Sequence, residues 1–390
     1  DYMADCCELF GYEEYAASVL EPAELYRSKT SEEIVNEQTY TFTDRGEREV
    51  TLRPEMTPTL ARMVAARARD IALPTRWYSI PNLLRYERPQ RGRVREHWQL
   101  NADIVGASGV EADAEIISVA HAILIAMGAE ERNFEIRVSD RRILEHIYDS
   151  LGIAPTMRAK ITRILDRRTK LDDFASALSE TLDDSALAAH LTQEIDTTTS
   201  SAYMENLRGT LAHFGVHNMV VDTSVTRGFD YYTGMVFEVF DTDPANPRSI
   251  AGGGRYDNLL SLFSSESLPA VGFAMGDVTL RDFLEIHNLL PRYAPATELM
   301  IAVVDEAAMT HALTLAQDLR REDITVAVNL SGKRVGDQLR QADKMRIPFV
   351  IAVGENERNS GRYTIKNLET GAEITLPADR ISEHLFSALG

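Results

Sequence analysis

Three observations predict a mixed α and β chain made of two units. Short strand-like runs alternate with helical patterns up to about residue 139, and strands return from Val220 to Asn288. Between them, from Arg141 to about Phe214, Leu, Ile and Ala recur at three- and four-residue spacing, which reads as an inserted helical module. Beyond Pro291 and Pro295 strand and helix patterns alternate strictly. The expected organisation is an α+β domain over 1–296, a helical insertion at about 141–215, and an α/β unit at 297–390.

Taken in order, Glu49–Leu52 and Arg76–Leu84 read as strands, with Thr57–Ala68 a helix between them. Glu96–Val105 is a strand by clean alternation: Trp98, Leu100, Ala102 and Ile104 point one way, and His97, Gln99, Asn101 and Asp103 the other. Ala112–Met127 is a helix, and Phe134–Val138, Met219–Val221 and Met235–Phe240 are strands. In the last unit, strands at Leu299–Val304, Ile324–Asn329 and Phe349–Val353 are separated by helices at Ala307–Arg321 and Val335–Met345. That order predicts a small, mainly parallel sheet. Tyr363–Asn367 and Glu373–Leu376 add an antiparallel hairpin.

Composition narrows the function. With 390 residues, 44% of them hydrophobic and 26% charged, the chain has material for a sizeable core, and disorder is not expected. The richest apolar run, Ile116–Met127, is too short for a membrane span and carries Ser118 and His121. No basic-then-apolar leader opens the sequence, so secretion is not expected. Cys6 and Cys7 are adjacent, which disfavours a disulfide, and two thiols do not complete a zinc site; a reducing cytoplasm fits. A net charge of −19 excludes a general nucleic-acid coat protein but leaves room for a local basic patch. No P-loop, His-Glu-x-x-His, Cys-x-x-Cys or Gly-x-Ser-x-Gly pattern occurs, and Gly252-Gly253-Gly254 lacks the spacing of a dinucleotide fingerprint.

Five segments carry chemistry. Between two strand-like runs lies Glu87-Arg88-Pro89-Gln90-Arg91-Gly92-Arg93-Val94-Arg95, with Arg85 just before it. Crowding arginines in so acidic a chain suits an anion with phosphate geometry, or a solvated hairpin tip. The polar face of Glu96–Val105 meets either solvent or a hydrated pocket. In Leu52-Arg53-Pro54-Glu55-Met56-Thr57 the carboxylate and hydroxyl suit a ligand ammonium, or else cap the following helix. Arg227-Gly228-Phe229-Asp230-Tyr231-Tyr232 offers a cation and paired aromatics, and Gly252–Asp257 reads as a close backbone approach feeding a helix.

In this order the segments resemble the histidyl-tRNA synthetase family of class II aminoacyl-tRNA synthetases. Leu52-Arg53-Pro54-Glu55, the Arg85-to-Gln99 hairpin and Arg227-Gly228-Phe229-Asp230-Tyr231-Tyr232 carry the likeness, which spans nearly the whole chain. It implies a class II-type antiparallel catalytic sheet of six or seven strands with a helical insertion, a C-terminal anticodon-binding α/β domain, and a homodimer. The implied substrates are ATP with Mg2+, L-histidine and tRNA(His), in the cytoplasm and away from membranes.

By position, Arg85 would meet the ATP α-phosphate and the histidine carboxylate, and Arg227 would add charge there. Glu55, Thr57 and Gln99 would hold the α-ammonium. Asp103 and Tyr232 would read the imidazole, with Tyr231 beside them and Tyr256 closing the pocket. Glu87, Arg93 and Gly276 would face ATP. Arg88, Gln90 and Arg91 at the loop tip, and Lys333 and Arg334 in the last unit, would face tRNA.

Two departures stand out. The segment with Arg-Gly-x-x-Asp that the family carries ahead of its first strand is not in this sequence. The third motif normally ends Gly-x-Glu-Arg, its arginine clamping the ATP γ-phosphate; here Gly276-Asp277-Val278-Thr279 places Thr279 there. Another cation replaces that clamp, or ATP binds in a different pose, or activation is impaired; the alternative to an enzyme is a non-catalytic histidine sensor of the ATP phosphoribosyltransferase regulatory type.

Overall fold

The computed structural model describes residues 2–27, 38–86, 94–165, 168, 171, 173–198, 201–225, 231–263, 267–291 and 293–389. The chain divides into two compact units, Asp1–Leu290 and Pro291–Gly390.

The first unit is organised by one large sheet. Six strands run antiparallel in the order Thr75–Ser79, Glu96–Val105, Ala270–Gly276, Ser249–Arg255, Met235–Asp241 and Phe134–Asp140. Glu13–Glu14 joins one edge and Met219–Val221 the other, both in parallel, and Asn82–Leu84 pairs with the outer end of Glu96–Val105. The described sheet therefore has nine strands, of which the antiparallel six are the expected class II-type core. The strand expected over Arg76–Leu84 is two strands broken at Ile80-Pro81, because proline has no N–H to donate to the ladder.

The glycine run does not feed a helix, as its sequence suggested. Ser249–Arg255 is a central strand, and among the described residues between it and the next strand the one helical element is a 3-10 turn, Leu260–Leu262. Its glycines answer to packing: a Cβ on Gly254 would lie 2.6 Å from the carbonyl of Met235 and 2.8 Å from the Tyr232 ring.

One face of the sheet is apolar. Leu100, Ala102, Ile104, Val271, Phe273, Met275, Phe237 and Val239 are buried there in the cluster that includes Ile116, Ile117, Ala120 and Leu124 of the helix Val110–Ala126. Trp98, the outermost member of the predicted apolar face, is instead half exposed. The helical insertion comprises, among the described residues, Arg141–Ser150, Pro155–Leu165, Phe174–Leu182, Ser185–Thr197 and Ala202–His213. Asp140, Asp173, Asp184 and Ser201 cap the helices that follow them by accepting backbone N–H groups (2.9–3.2 Å).

The second unit has strand order Val326–Val328, Leu299–Val303, Phe349–Val353, Arg362–Asn367, Glu373–Pro377. The first three are parallel and the last two close an antiparallel hairpin, as the alternation predicted.

Arg255 ties sheet to helix. Its buried guanidinium lies 2.6 Å from Asp113 of the helix Val110–Ala126 and donates to the carbonyl of Ala107 at 3.0 Å. Without Asp113 the buried guanidinium keeps as its carboxylate partner only the part-exposed Asp257, 3.2 Å from its Nη1. Asp113→Ala should therefore cost about 3–5 kcal/mol in denaturant unfolding. A loss below about 1 kcal/mol would show that the pair does not hold sheet to helix.

Candidate active site

The sheet's other face holds a trench, and the strand register explains it. Paired residues point to the same face, so Gln99, Asn101 and Asp103 share a side with Gly276, Ala274 and Gly272 opposite them. The next strand presents Gly252 opposite Ala274 and Gly254 opposite Gly272, and Glu238 stands opposite Gly252 on the strand after that. Two adjacent central strands thus carry almost no side chains on this face. Longer polar side chains rise on both flanks.

The inner end of the trench is a cavity of about 110 Å³ lined by Glu55, Thr57, Gln99, Asp103, Tyr231, Tyr232 and Tyr256, with Arg85 at its rim. Asp103 is 4% exposed and accepts the Tyr256 hydroxyl at 2.5 Å. It lies directly over Gly272, where a Cβ would sit 1.8 Å from its Oδ1, so only glycine fits that position. Burial pushes the Asp103 carboxyl up to about 7, against the opposing pull of the Tyr256 hydroxyl. The three tyrosines pack together, Tyr231 lying 4.9 Å from Tyr232 and 5.9 Å from Tyr256 between ring centres.

Glu55 is buried and accepts the Tyr231 hydroxyl at 3.3 Å. The helix Thr57–Arg67 is N-capped at Met56 without a side-chain hydrogen bond. Neither Glu55 nor Thr57 spends its oxygen on capping, and both line the cavity.

The outer end is a second cavity of about 220 Å³, which shares Arg85, Gln99, Gly252 and Ala274 with the first. Arg85 Nε donates to the carbonyl of Pro54 at 2.9 Å, which fixes its guanidinium at the junction. His97, Glu238, Arg248, Gly276 and Thr279 complete the lining. Burial, helped by the charge on Arg85, lowers His97 to about 4, so its imidazole is neutral at physiological pH.

Of the expected site residues, Arg85, Glu55, Thr57, Gln99, Asp103, Tyr231, Tyr232 and Tyr256 converge on the inner cavity, and Gly276 lines the outer one. Arg227, Glu87, Arg88, Gln90, Arg91 and Arg93 lie outside the described residues. Lys333 and Arg334 belong to the second unit, exposed on a loop that is internally braced. There the buried Gln338 amide donates to the carbonyls of Lys333 (2.6 Å) and Val303 (2.8 Å), and Ser331 bonds the Asn329 side chain.

The sequence reading missed Glu238 and Arg248 as pocket residues. Glu238 was recoverable as the lone carboxylate inside an apolar strand; nothing in the local pattern marks Arg248.

The Asp103 shift has a testable sign. The unfolded carboxyl titrates near 4, so between about pH 4 and 7 the folded chain holds a proton that the unfolded chain has lost. That contribution to stability is complete below about pH 4 and disappears as pH rises through about 7. Melting temperatures from pH 5 to 8 should fall more steeply for the native chain than for Asp103→Asn. Parallel slopes would refute a buried, proton-holding Asp103.

Comparisons with known proteins give the fold a family. The family model for histidyl-tRNA synthetase matches residues 2–279, and that for the anticodon binding domain matches residues 298–386. A histidine–tRNA ligase from Leptospira biflexa is 41% identical over 390 residues, covering 96% of this chain and 89% of that protein. One from Halorubrum lacusprofundi is 36% identical over 97% of this chain and 91% of its own length. The crystal structure of histidyl-tRNA synthetase from Nostoc superposes with a TM-score of 0.85 at 21% identity, covering all of this chain and 94% of that one, and so shares its fold. With the family model matched over residues 2–279 and relatives 36–41% identical over nearly all of it, the chain belongs to the histidyl-tRNA synthetase family.

Proposed function

We propose that this chain is a histidine–tRNA ligase, which activates L-histidine with ATP to histidyl-adenylate and passes the histidyl group to tRNA(His). The observation that carries the reading is the pair of adjoining cavities joined at Arg85: one narrow, with a buried carboxyl and three tyrosines, the other wider and cationic.

In the inner cavity Asp103 accepts an imidazole N–H while a tyrosine hydroxyl, that of Tyr232, serves the other ring nitrogen. A neutral imidazole offers one donor and one acceptor and needs such a matched pair. Glu55, Thr57 and Gln99 take the α-ammonium, which directs the histidine carboxylate toward Arg85. In the outer cavity ATP presents its α-phosphate at the same junction. A carboxylate oxygen forms a bond to the α-phosphorus as the bond from that phosphorus to the bridging oxygen breaks, and pyrophosphate leaves. No protein nucleophile is required; alignment and positive charge lower the barrier. Arg85 neutralises charge shared by both reactants, and the neutral His97 beside it neither adds to that charge nor competes for it.

The outer cavity suits Mg2+ bound to nucleotide. Among the described residues no cluster of three acidic, His or Cys ligands occurs. Mg2+ usually takes one or two carboxylates and completes its shell with water and phosphate oxygens, and Glu238 is positioned to supply one. When bound, the ion would draw charge off the departing pyrophosphate.

Lys333 and Arg334 extend the reading to the anticodon arm, with the loop tip Arg88, Gln90 and Arg91 reserved for the acceptor end. The proposal also takes the working form to be a cytoplasmic homodimer. No helix among the described residues is long and apolar enough to cross a membrane.

ATP–pyrophosphate exchange measured with each amino acid in turn tests the reading. Exchange should depend on histidine alone; histidine binding without exchange would point to a sensor instead. In the same preparation Lys333→Glu/Arg334→Glu should leave exchange intact while weakening tRNA charging about tenfold or more. Its binding should lose about two from the salt slope. Unchanged charging would remove this loop from the tRNA interface.

A further inference from the structure

Thr279 stands where the resemblance implies an arginine on the ATP γ-phosphate, and the structure shows how that position is used. Thr279 lies in the first turn of the helix Asp277–Ile286, and its hydroxyl is turned to backbone, 3.4 Å from the carbonyl of Ile250 and 3.5 Å from that of Gly276. It brings no charge to the outer cavity that it lines.

Arg248, the residue just before the strand Ser249–Arg255, lines the same cavity. It precedes Ile250 by two residues, and two residues of extended backbone span about 7 Å. A long side chain starting there covers the region that a short Thr279 leaves open. Arg248 is half-buried and makes no hydrogen bond or ion pair with any described residue. The cavity's other cationic candidates are committed elsewhere. Arg85 is anchored on Pro54 at the junction with the inner cavity, and His97 is neutral. Among the described residues, Arg248 is therefore the cation that lines the outer cavity alone.

We infer that Arg248 holds the β,γ-phosphate end of ATP, replacing from the bend that leads into the adjacent strand the arginine that Thr279 displaces from the helix. The inference rests on the reading that the outer cavity takes ATP. A guanidinium suits the role because its fork of donors matches two phosphate oxygens at once. Thr279 then has a positive reason to be small: an arginine at both positions would place two guanidiniums in one cavity.

The test compares the native chain, Arg248→Ala and Arg248→Ala/Thr279→Arg by calorimetry with ATP and with AMP, alongside histidine-dependent exchange. Arg248→Ala should weaken ATP binding about ten- to a hundredfold and raise the KM for ATP, because a charge-assisted contact is lost. Binding of AMP, which lacks the β- and γ-phosphates, should stay within about twofold of native. Transfer to tRNA from supplied histidyl-adenylate should be unchanged, since that half-reaction has already released pyrophosphate. The double variant should recover part of the ATP affinity. Unaltered ATP binding in Arg248→Ala, or an equal loss of AMP binding, would overturn the assignment. ATP failing to bind the native chain at all would sink the underlying reading, and this inference with it.

Discussion

The site exists because two neighbouring strands in the middle of a packed sheet present glycine and alanine to the same face. Gly272, Ala274 and Gly276 on one strand and Gly252 and Gly254 on the next leave a floor of backbone. On the reverse face the first of these strands buries Val271, Phe273 and Met275, and the second buries Ala251. Alternation with period two separates the two tasks, so the strands anchor the core with one set of residues and open a trench with the other. The most constrained point is Gly272, where the carboxyl of Asp103 occupies the space of a Cβ. That carboxyl is consequently held deep in the protein, bonded to Tyr256, with its proton affinity raised by burial.

Electrostatics divides the trench lengthwise. At the inner end two buried acids, Asp103 and Glu55, stand among aromatic rings, an environment that favours a ligand able to donate hydrogen bonds. At the outer end two arginines face one glutamate, which favours a polyanion. Arg85 belongs to both ends. A reaction joining a carboxylate to a phosphate requires one cation seen by both partners, and the hydrogen bond to Pro54 fixes that cation before either arrives.

Much of this was legible in the sequence, for definite reasons. The alternation of Glu96–Val105 assigned Gln99, Asn101 and Asp103 to one face, and the sheet places that face in the trench. Strand–helix alternation after Leu299 gave the second unit, because parallel pairing needs crossovers that leave a visible period. What local pattern does not encode is partnership. The glycine run looked like a loop before a helix because the reason for its glycines lies on other strands, in the carbonyls of Gly272 and Met235 and the ring of Tyr232. Glu55 and Thr57 also looked like helix caps, and only the cavity that both line in three dimensions points otherwise. Arg248 was silent because its relation to Thr279 is between two segments that meet only in the sheet.

The most direct measurement is a crystal structure of this chain soaked with histidinol and ATP, in which the missing carboxylate halts the reaction. The account predicts the imidazole within hydrogen-bond distance of Asp103, with the nucleotide's α-phosphate beside Arg85 and its phosphate tail running outward past Gly276. Density for either ligand on another surface, or an imidazole ring remote from the Asp103–Tyr256 pair, would contradict it.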